Sequence, residues 1–230
     1  MVGATWQSLL CNVVSVVTSS WGLFKCTKVV LPPSLSQAGH KQFLTNIAVA
    51  FTIVNNVANI ANHLVQRLAK DAQLKRRWYN ISRHVTLPIA MVLESIVATV
   101  YWPLRLFALQ FIMQDVAKGR APIPYKVDIA IHLLPLVFQL YDHYLSGYGS
   151  RFKLSYKHSW LIITSFGLFY NRYLHFLIVP NTIQSYPYPF LNVDEPLRSV
   201  IFVVVTSASC LFYALYQSFT PKAQPLTKRE

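Results

Sequence analysis

Six apolar stretches dominate the pattern of hydrophobic and polar positions along the chain, and short polar segments separate them. Each stretch approaches the roughly 20 residues that a helix needs to cross the hydrocarbon core of a bilayer. The predicted spans are residues 5–24, 43–64, 85–109, 129–145, 160–179 and 197–219. The sequence holds no internal repeat or low-complexity segment. The pattern therefore predicts an all-α fold, a polytopic membrane helix bundle of about six transmembrane helices that forms one domain over residues 1–230.

Composition and charge support a membrane protein and give it an orientation. Charged residues make up only 13% of the chain, whereas soluble domains carry about 25%. The basic residues lie in separate short loops, which favours the flanks of membrane spans over nucleic-acid binding. One side of the predicted bundle holds Arg67, Lys70, Lys75, Arg76, Arg77, Arg83, Arg151, Lys153, Lys157, Lys222, Lys228 and Arg229, and the other holds Lys25, Lys28, Lys41, Lys118, Arg120, Lys126 and Arg198. The first side also carries both termini, so the positive-inside rule predicts that both are cytosolic.

Cysteine spacing and the amino-terminal pattern exclude two further interpretations. Cys11, Cys26 and Cys210 form no CxxC pair and no array at metal-ligand spacing. The sequence therefore indicates neither a zinc site nor a disulfide framework, and no cofactor is expected. The first apolar stretch has no basic segment before it and no small-residue cleavage site after it, so we expect it to remain as a span.

Polar side chains inside the spans are candidates for function, because they are costly in lipid and by default face the bundle interior. One face of the second span carries Thr45, Thr52, Asn55, Asn59 and Asn62. We interpret its asparagines mainly as links between helices. Glu94 in the third span must be neutral or paired, and Arg172 is its predicted partner. His175 in the fifth span is a further candidate. The aromatic, proline-rich loop before the sixth span is expected to lie over the non-cytosolic mouth of the bundle.

Thr45 and His132 are predicted to lie at similar depth, because both are near the ends of spans that enter from the same side. A hydroxyl and an imidazole at matched depth can act as nucleophile and general base if their helices are adjacent. Asp128 precedes His132 by one helical turn, so its carboxylate can orient the imidazole. Asn46 is a candidate donor to an oxyanion.

Three short motifs carry a family likeness. They are Lys41-Gln42-Phe43-Leu44-Thr45 at the head of the second span, His132 followed by Pro135 in the fourth, and Tyr188-Pro189-Phe190-Leu191 before the sixth. Together with the six-span layout, they resemble the androgen-induced gene family, which includes the androgen-dependent TFPI-regulating proteins. The resemblance implies a membrane threonine hydrolase that cleaves fatty acid esters of hydroxy fatty acids, with Thr45 as nucleophile and His132 as base. The expected partner is then a lipid ester within the bilayer.

Two other function classes stay open. The first is a non-catalytic membrane scaffold or lipid-binding protein, in which Thr45 and His132 only hold helices together. The second is a small transporter or channel, whose path would be lined by Glu94 and the asparagines; no inverted repeat supports it. For each class we expect a multi-pass protein of the endomembrane system, above all the endoplasmic reticulum, or of the plasma membrane. The pattern makes no prediction of the oligomeric state.

Overall fold

The described part of the computed structural model comprises residues 4–116, 119, 121–178 and 183–221, and its regular elements are all helices. They are α1 (Trp6–Thr27), α2 (Pro33–Ser36), α3 (Leu44–Leu68), α4 (Ala72–Asn80), α5 (Leu87–Phe107), α6 (Tyr125–His132), α7 (Leu134–Tyr144), α8 (Tyr156–Leu177) and α9 (Leu197–Ser218). Short 3₁₀ turns lie at Gly39–Gln42, Leu109–Phe111 and Pro189–Leu191. The predicted all-α helix bundle is confirmed. The predicted loop cations Lys118 and Arg120, the last residue of the fifth span, Val179, and the tail cations Lys222, Lys228 and Arg229 lie outside the described residues.

Four helical segments of the described chain are long and apolar enough to cross a membrane: Trp6–Thr27, Leu44–Leu68, Ala72–Phe107 and Leu197–Ser218. They correspond to the predicted first, second, third and sixth spans. The predicted fourth span is divided into α6 and α7, neither of which has the necessary length. Helix α8 has 22 residues, but polar side chains near both of its ends dilute its apolar character. A total of six spans and the cytosolic location of both termini therefore stay predictions.

The third segment begins well before its predicted first residue, because a π-helical turn at Ile81–Thr86 joins α4 to α5 without a break. Arg83 was therefore wrongly assigned to a basic loop. Its side chain is fully buried, forms an ion pair with Asp142 of α7 and donates to Asn59 of α3 over 3.2 Å. A guanidinium is tolerated there because a carboxylate and an amide oxygen both accept from it.

Helix α3 lies at the centre of the bundle, with α1 on one side and α5 on another, while α9 packs between α5 and α8. The buried asparagines of α3 reach its neighbours: Asn56 donates to Ser15 of α1 over 2.7 Å, and Asn62 donates to the Tyr148 hydroxyl over 2.8 Å. These bonds agree with the interpretation of the asparagines as links between helices, since a buried amide without a partner is costly.

The predicted pairing of Glu94 with Arg172 is wrong. Glu94 of α5 accepts a 2.6 Å hydrogen bond from the Thr52 hydroxyl of α3, and Thr52 in turn accepts from Gln139 of α7 over 2.8 Å. Arg172 is exposed on α8, which packs mainly on α9. The partner of the Glu94 side chain is therefore the Thr52 hydroxyl of the adjacent helix and not the distant Arg172.

Two local features bring α6 to its position beside α1 and α5. Helix α6 ends at His132 because Leu133 leaves the helical conformation, and Pro135 then has no N–H to donate to the preceding turn. The carbonyl of His132, freed at this break, accepts from Trp102 of α5 over 3.0 Å. On the other side, a Cβ at Gly22 of α1 would stand 2.8 Å from the Ile131 side chain. Only glycine permits this close approach of α1 to α6.

Candidate functional site

A cavity of about 160 Å³ lies at the end of the bundle where α1 and α5 end and where α3 and α6 begin. Its lining includes the side chains of Thr45, Asn46, Tyr101, His132 and Tyr188. The structure therefore brings Thr45 and His132 to the same cavity, a proximity that their predicted depth allowed but did not determine. Within the described residues no hydrogen bond joins these two side chains directly, although both line this cavity.

Asp128 fixes the imidazole of His132. The ring Nδ1 lies 2.9 Å from the Asp128 carboxylate and 3.1 Å from the Asp128 main-chain carbonyl. Both of these partners only accept hydrogen bonds, so Nδ1 must carry a proton. In the neutral ring, Nε2 is then the nitrogen with the free lone pair. In the part of the chain that the structure describes, Nε2 has no hydrogen-bond partner, and His132 lines the cavity.

Three residues of α5 complete the surroundings of the Asp128–His132 pair. The Tyr101 hydroxyl donates to one carboxylate oxygen of Asp128, and Arg105 Nε donates to the other over 2.9 Å. The Tyr101 ring also stacks on the imidazole, with centroids 3.4 Å apart and planes 2° from parallel. Trp102 binds the His132 carbonyl, as described above. The carboxylate and the ring are therefore both held in one orientation.

Sequence reasoning missed Tyr101, Trp102 and Arg105 as site residues. A signal was present, because Tyr101 and Arg105 are four residues apart and hence share one helical face. Aromatic and basic residues at a helix end are also typical of any membrane interface, however. Only the packing of α5 against α6 shows that these residues belong to the site and are not merely residues of the membrane interface.

Thr45 lies in the first turn of α3, where no side chain of the preceding residue caps the helix. The first N–H groups of a helix have no partner within it and carry partial positive charge. The phenol oxygen of Tyr188 lies beside the Thr45 hydroxyl and the N–H groups of Leu44 and Thr45. Tyr188 therefore brings the loop before α9 against the start of α3, at the end of the bundle that carries the cavity. That this end is non-cytosolic stays a prediction.

Asn46 and His40 also line the cavity. The Asn46 amide donates to the His40 carbonyl over 2.8 Å, and its oxygen lies 3.6 Å from the Cys26 sulfur. His40 was not predicted, although it precedes Thr45 by only five residues. Its Nε2 lies 3.1 Å from the Val29 carbonyl, while its buried Nδ1 has no hydrogen-bond partner among the described residues. Burial lowers the pKa of His40, which favours the neutral form of this second imidazole at the cavity.

His175 does not belong to this cavity. It lies in the last turn of α8, and its Nδ1 is 3.2 Å from the Tyr186 hydroxyl, which also accepts from Arg198 over 2.7 Å. Because α8 packs mainly on α9, the end of α8 stands away from α6. The structure therefore places His175 in a separate polar cluster. In the described part of the chain, no group of three histidine, cysteine or acidic side chains is arranged to hold a metal ion.

Comparison with known proteins places the chain in a family. The model of the family described as FAR-17a/AIG1-like protein matches residues 7–220. The chain belongs to the FAR-17a/AIG1-like family. Relatives include the UPF0641 membrane protein YHR140W of Saccharomyces cerevisiae, which is 54% identical over 217 residues that cover 94% of this chain and 91% of the relative. The UPF0641 membrane protein PJ4664.05 of Schizosaccharomyces pombe is 28% identical over 194 residues, covering 83% and 79% of the two chains. No solved structure matches the chain significantly.

The FAR-17a/AIG1-like match confirms the family likeness first seen in three short motifs. It extends from α1 to α9 and includes Thr45, Asp128, His132 and Tyr188. The two relatives are named as membrane proteins, which agrees with the long apolar helices of this chain. The candidate site therefore lies inside the part of the chain that the family model matches.

Proposed function

We propose that this chain is a membrane-embedded ester hydrolase in which Thr45 is the nucleophile and His132 the general base. One arrangement supports the proposal. Thr45 and His132 line the same cavity, and Asp128 and its backbone carbonyl hold the Nδ1 side of the imidazole. A hydroxyl, a base and a carboxylate that orients the base are the parts that acyl transfer through a covalent intermediate requires.

The reaction proceeds in two steps. Thr45 Oγ1 attacks the ester carbonyl carbon while His132 Nε2 accepts the hydroxyl proton. The tetrahedral intermediate collapses, the C–O bond to the alcohol breaks, and the proton passes from Nε2 to the leaving alkoxide. Water then attacks the acyl–Thr45 ester with His132 again as base, which releases the acid and restores both side chains. Bound substrate would bring the hydroxyl and the imidazole together, since catalytic hydrogen bonds are often long in unliganded sites.

The negative oxygen of the intermediate needs donors. The start of α3 offers backbone N–H groups at Thr45 itself, and the Tyr188 phenol lies beside them. Donors aimed at a developing oxyanion in a site that excludes water contribute strongly to the rate. The Asn46 amide is a supporting donor, because only one of its two N–H bonds is used by the His40 carbonyl.

The substrate class that we propose is fatty acid esters of hydroxy fatty acids, or related lipid esters. The likeness to the androgen-induced gene family suggests this class. The lining agrees with it, since apart from the polar residues named above the wall consists mostly of apolar side chains such as Leu31, Leu109 and Ile123. A hydrocarbon chain enters such a cavity from the bilayer without loss of hydration.

The test uses the full chain, purified in detergent and assayed with a branched fatty ester and with a fluorophosphonate probe that labels activated hydroxyls. We expect Thr45→Ala to abolish both turnover and labelling, and His132→Ala to reduce both by about 10³-fold or more. Thr45→Ser should retain labelling because it keeps the hydroxyl. The matched controls are Thr27→Ala and His158→Ala, since both residues are exposed. Turnover and labelling that persist in both Thr45→Ala and His132→Ala would refute the proposal.

The second candidate is a non-catalytic lipid-binding or scaffold protein. It is favoured by the lack of a direct hydrogen bond between Thr45 and His132 in the described structure. This alternative predicts that a labelled ester is bound and recovered intact. It also predicts that the two alanine variants lower the unfolding temperature without removing any hydrolysis.

A further inference from the structure

A second cavity, of about 300 Å³, lies between α3, α5, α8 and α9. Nearly all of its wall is aliphatic or aromatic. Leu44 and Tyr188 line it near the candidate site, while His84 and Tyr213 line it towards the other end of the bundle. Neither the hydrolase mechanism nor the polar network of α3 makes use of this space.

Most of the few polar side chains of this wall already have hydrogen-bond partners within the protein. The Ser209 hydroxyl donates to the Val205 carbonyl over 2.9 Å, and the Tyr213 hydroxyl donates to the Leu154 carbonyl over 2.7 Å. Ser159 likewise donates within its own helix over 2.8 Å. The exceptions are His84, whose buried Nδ1 has no hydrogen-bond partner among the described residues, and Thr206, whose hydroxyl makes no hydrogen bond there. Between Tyr188 and His84 the rest of the wall is therefore suited to hydrocarbon.

The length of the cavity corresponds to one acyl chain in one leaflet. On the π-helical turn and α5 its lining extends from His84 to Ile96, and on α9 from Ile201 to Tyr213. At 1.5 Å per residue, each stretch is about 18 Å long. Half of a hydrocarbon core of roughly 30 Å is about 15 Å. The two antiparallel helices thus give the same length, which is close to the depth of a single leaflet.

The two cavities share a wall that is one residue thick. Tyr188 lines both of them. Of two successive residues at the start of α3, Leu44 lines the apolar cavity and Thr45 lines the candidate site. A chain that leaves an ester carbonyl at Thr45 therefore needs to pass only Tyr188 to enter the apolar cavity.

We propose that the apolar cavity holds the acyl chain of the ester that Thr45 attacks, and that the length of the cavity sets the length of chain that binds best. This inference rests on the proposed function, because it names the part of the substrate that occupies the second cavity. The ester carbonyl lies between Thr45 and His132, the acyl chain extends past Tyr188 between α5 and α9, and the alcohol part stays on the side of the first cavity.

The kinetic test compares two identical substitutions on α9. Ser209→Phe fills the far part of the cavity, whereas Ser207→Phe places the same ring on an exposed face two residues away. With p-nitrophenyl palmitate, we expect Ser209→Phe to lower kcat/KM by about tenfold or more. With p-nitrophenyl butyrate, whose chain is too short to reach this position, the loss caused by Ser209→Phe should be much smaller than with the palmitate ester, and Ser207→Phe should match the unchanged protein with both esters. Equal effects of Ser209→Phe on both esters would overturn the inference and leave the hydrolase proposal intact.

A binding test on the unchanged protein does not depend on turnover or on the folding of a variant. A long-chain fatty acid with a diazirine at its terminal carbon is photolysed with the protein in nanodiscs, and the labelled peptides are mapped. We expect label at Leu154, Ser209 and Tyr213, and competition by unlabelled palmitate. Label confined to lipid-facing positions such as Leu211, without competition, would overturn the inference. Label inside the cavity without any esterase activity would instead contradict the proposed function alone.

Discussion

At the scale of single residues, Asp128 determines which nitrogen of the His132 ring carries the proton. Its carboxylate and its carbonyl both accept from Nδ1, so the free lone pair of the neutral ring is on Nε2. Tyr101 and Arg105 occupy the same carboxylate, and Tyr101 also stacks on the ring. The sequence predicted Asp128 and His132 because residues four apart share a helical face. It did not predict the contacts from α5, which depend on packing.

We predict that Asp128→Asn lowers kcat far more than it changes KM. An asparagine side chain can turn its N–H groups towards Nδ1, which would leave the proton on Nε2 and remove the base from the cavity. The equivalent change in serine proteases lowers kcat by about 10⁴-fold, and an effect of this order is expected here. Hydrolysis of the ester should be measured beside the unfolding temperature, because the variant also leaves Arg105 without its carboxylate. Asp194→Asn, at an exposed position, is the control. Unchanged kcat in folded Asp128→Asn would exclude the orienting role.

At the scale of helices, the joined helix from Ala72 to Phe107 and the break between α6 and α7 are the main departures from the predicted spans. Pro135 was noted in the sequence, yet a single span was predicted across it. An internal proline either kinks or ends a helix, and here Leu133 adopts a non-helical conformation. Arg83 was assigned to a loop because its charge suggests water. Its partner Asp142 is far away in the sequence, and only the contact of the π-helical turn with α7 makes its burial possible.

We predict that removing one partner of the Arg83–Asp142 pair lowers the free energy of unfolding more than replacing both partners by apolar residues. Arg83→Met alone leaves a buried carboxylate without its cation, and should lower the free energy of unfolding by about 3–5 kcal/mol. The double variant Arg83→Met, Asp142→Leu removes both charges and should recover much of that loss. Unfolding in a graded denaturing detergent measures each variant, with the exposed Arg76→Met as control. If the double variant lost as much free energy of unfolding as Arg83→Met and Asp142→Leu lose together, this account would be contradicted.

At the scale of the whole molecule, the bundle has two ends of different character. One end carries the candidate site, with Thr45, Asp128 and the aromatic loop before α9. The other carries α4, the start of α1 and the end of α7, where the Thr5 hydroxyl donates to the Ser146 carbonyl over 2.8 Å. The apolar cavity between α5 and α9 extends from the region of the site towards this second end. The orientation of the bundle in the membrane therefore determines which leaflet would supply the proposed substrate.

We predict that the site end faces away from the cytosol. The exposed residues Arg76, on α4, and Asp194, before α9, lie at opposite ends of the bundle. In sealed microsomes with the cytosolic face outward, Arg76→Cys should react at once with a membrane-impermeant maleimide. Asp194→Cys should react only after detergent is added. The buried Cys11 and Cys26 serve as the background, once Cys210 has been replaced by alanine. The reverse order of labelling would invert the topology that the positive-inside rule predicts.

The sequence by itself determined the helical, membrane-embedded character of this protein and the depth of its main candidate residues. Apolar length fixes where a span can form, and the rise of 1.5 Å per residue fixes the depth of Thr45 and His132 along their helices. Depth does not fix which helices are neighbours or how each is rotated. Packing alone therefore decided that Tyr101, Arg105 and Tyr188 meet at the site, that His175 lies elsewhere, and that an apolar cavity adjoins Thr45.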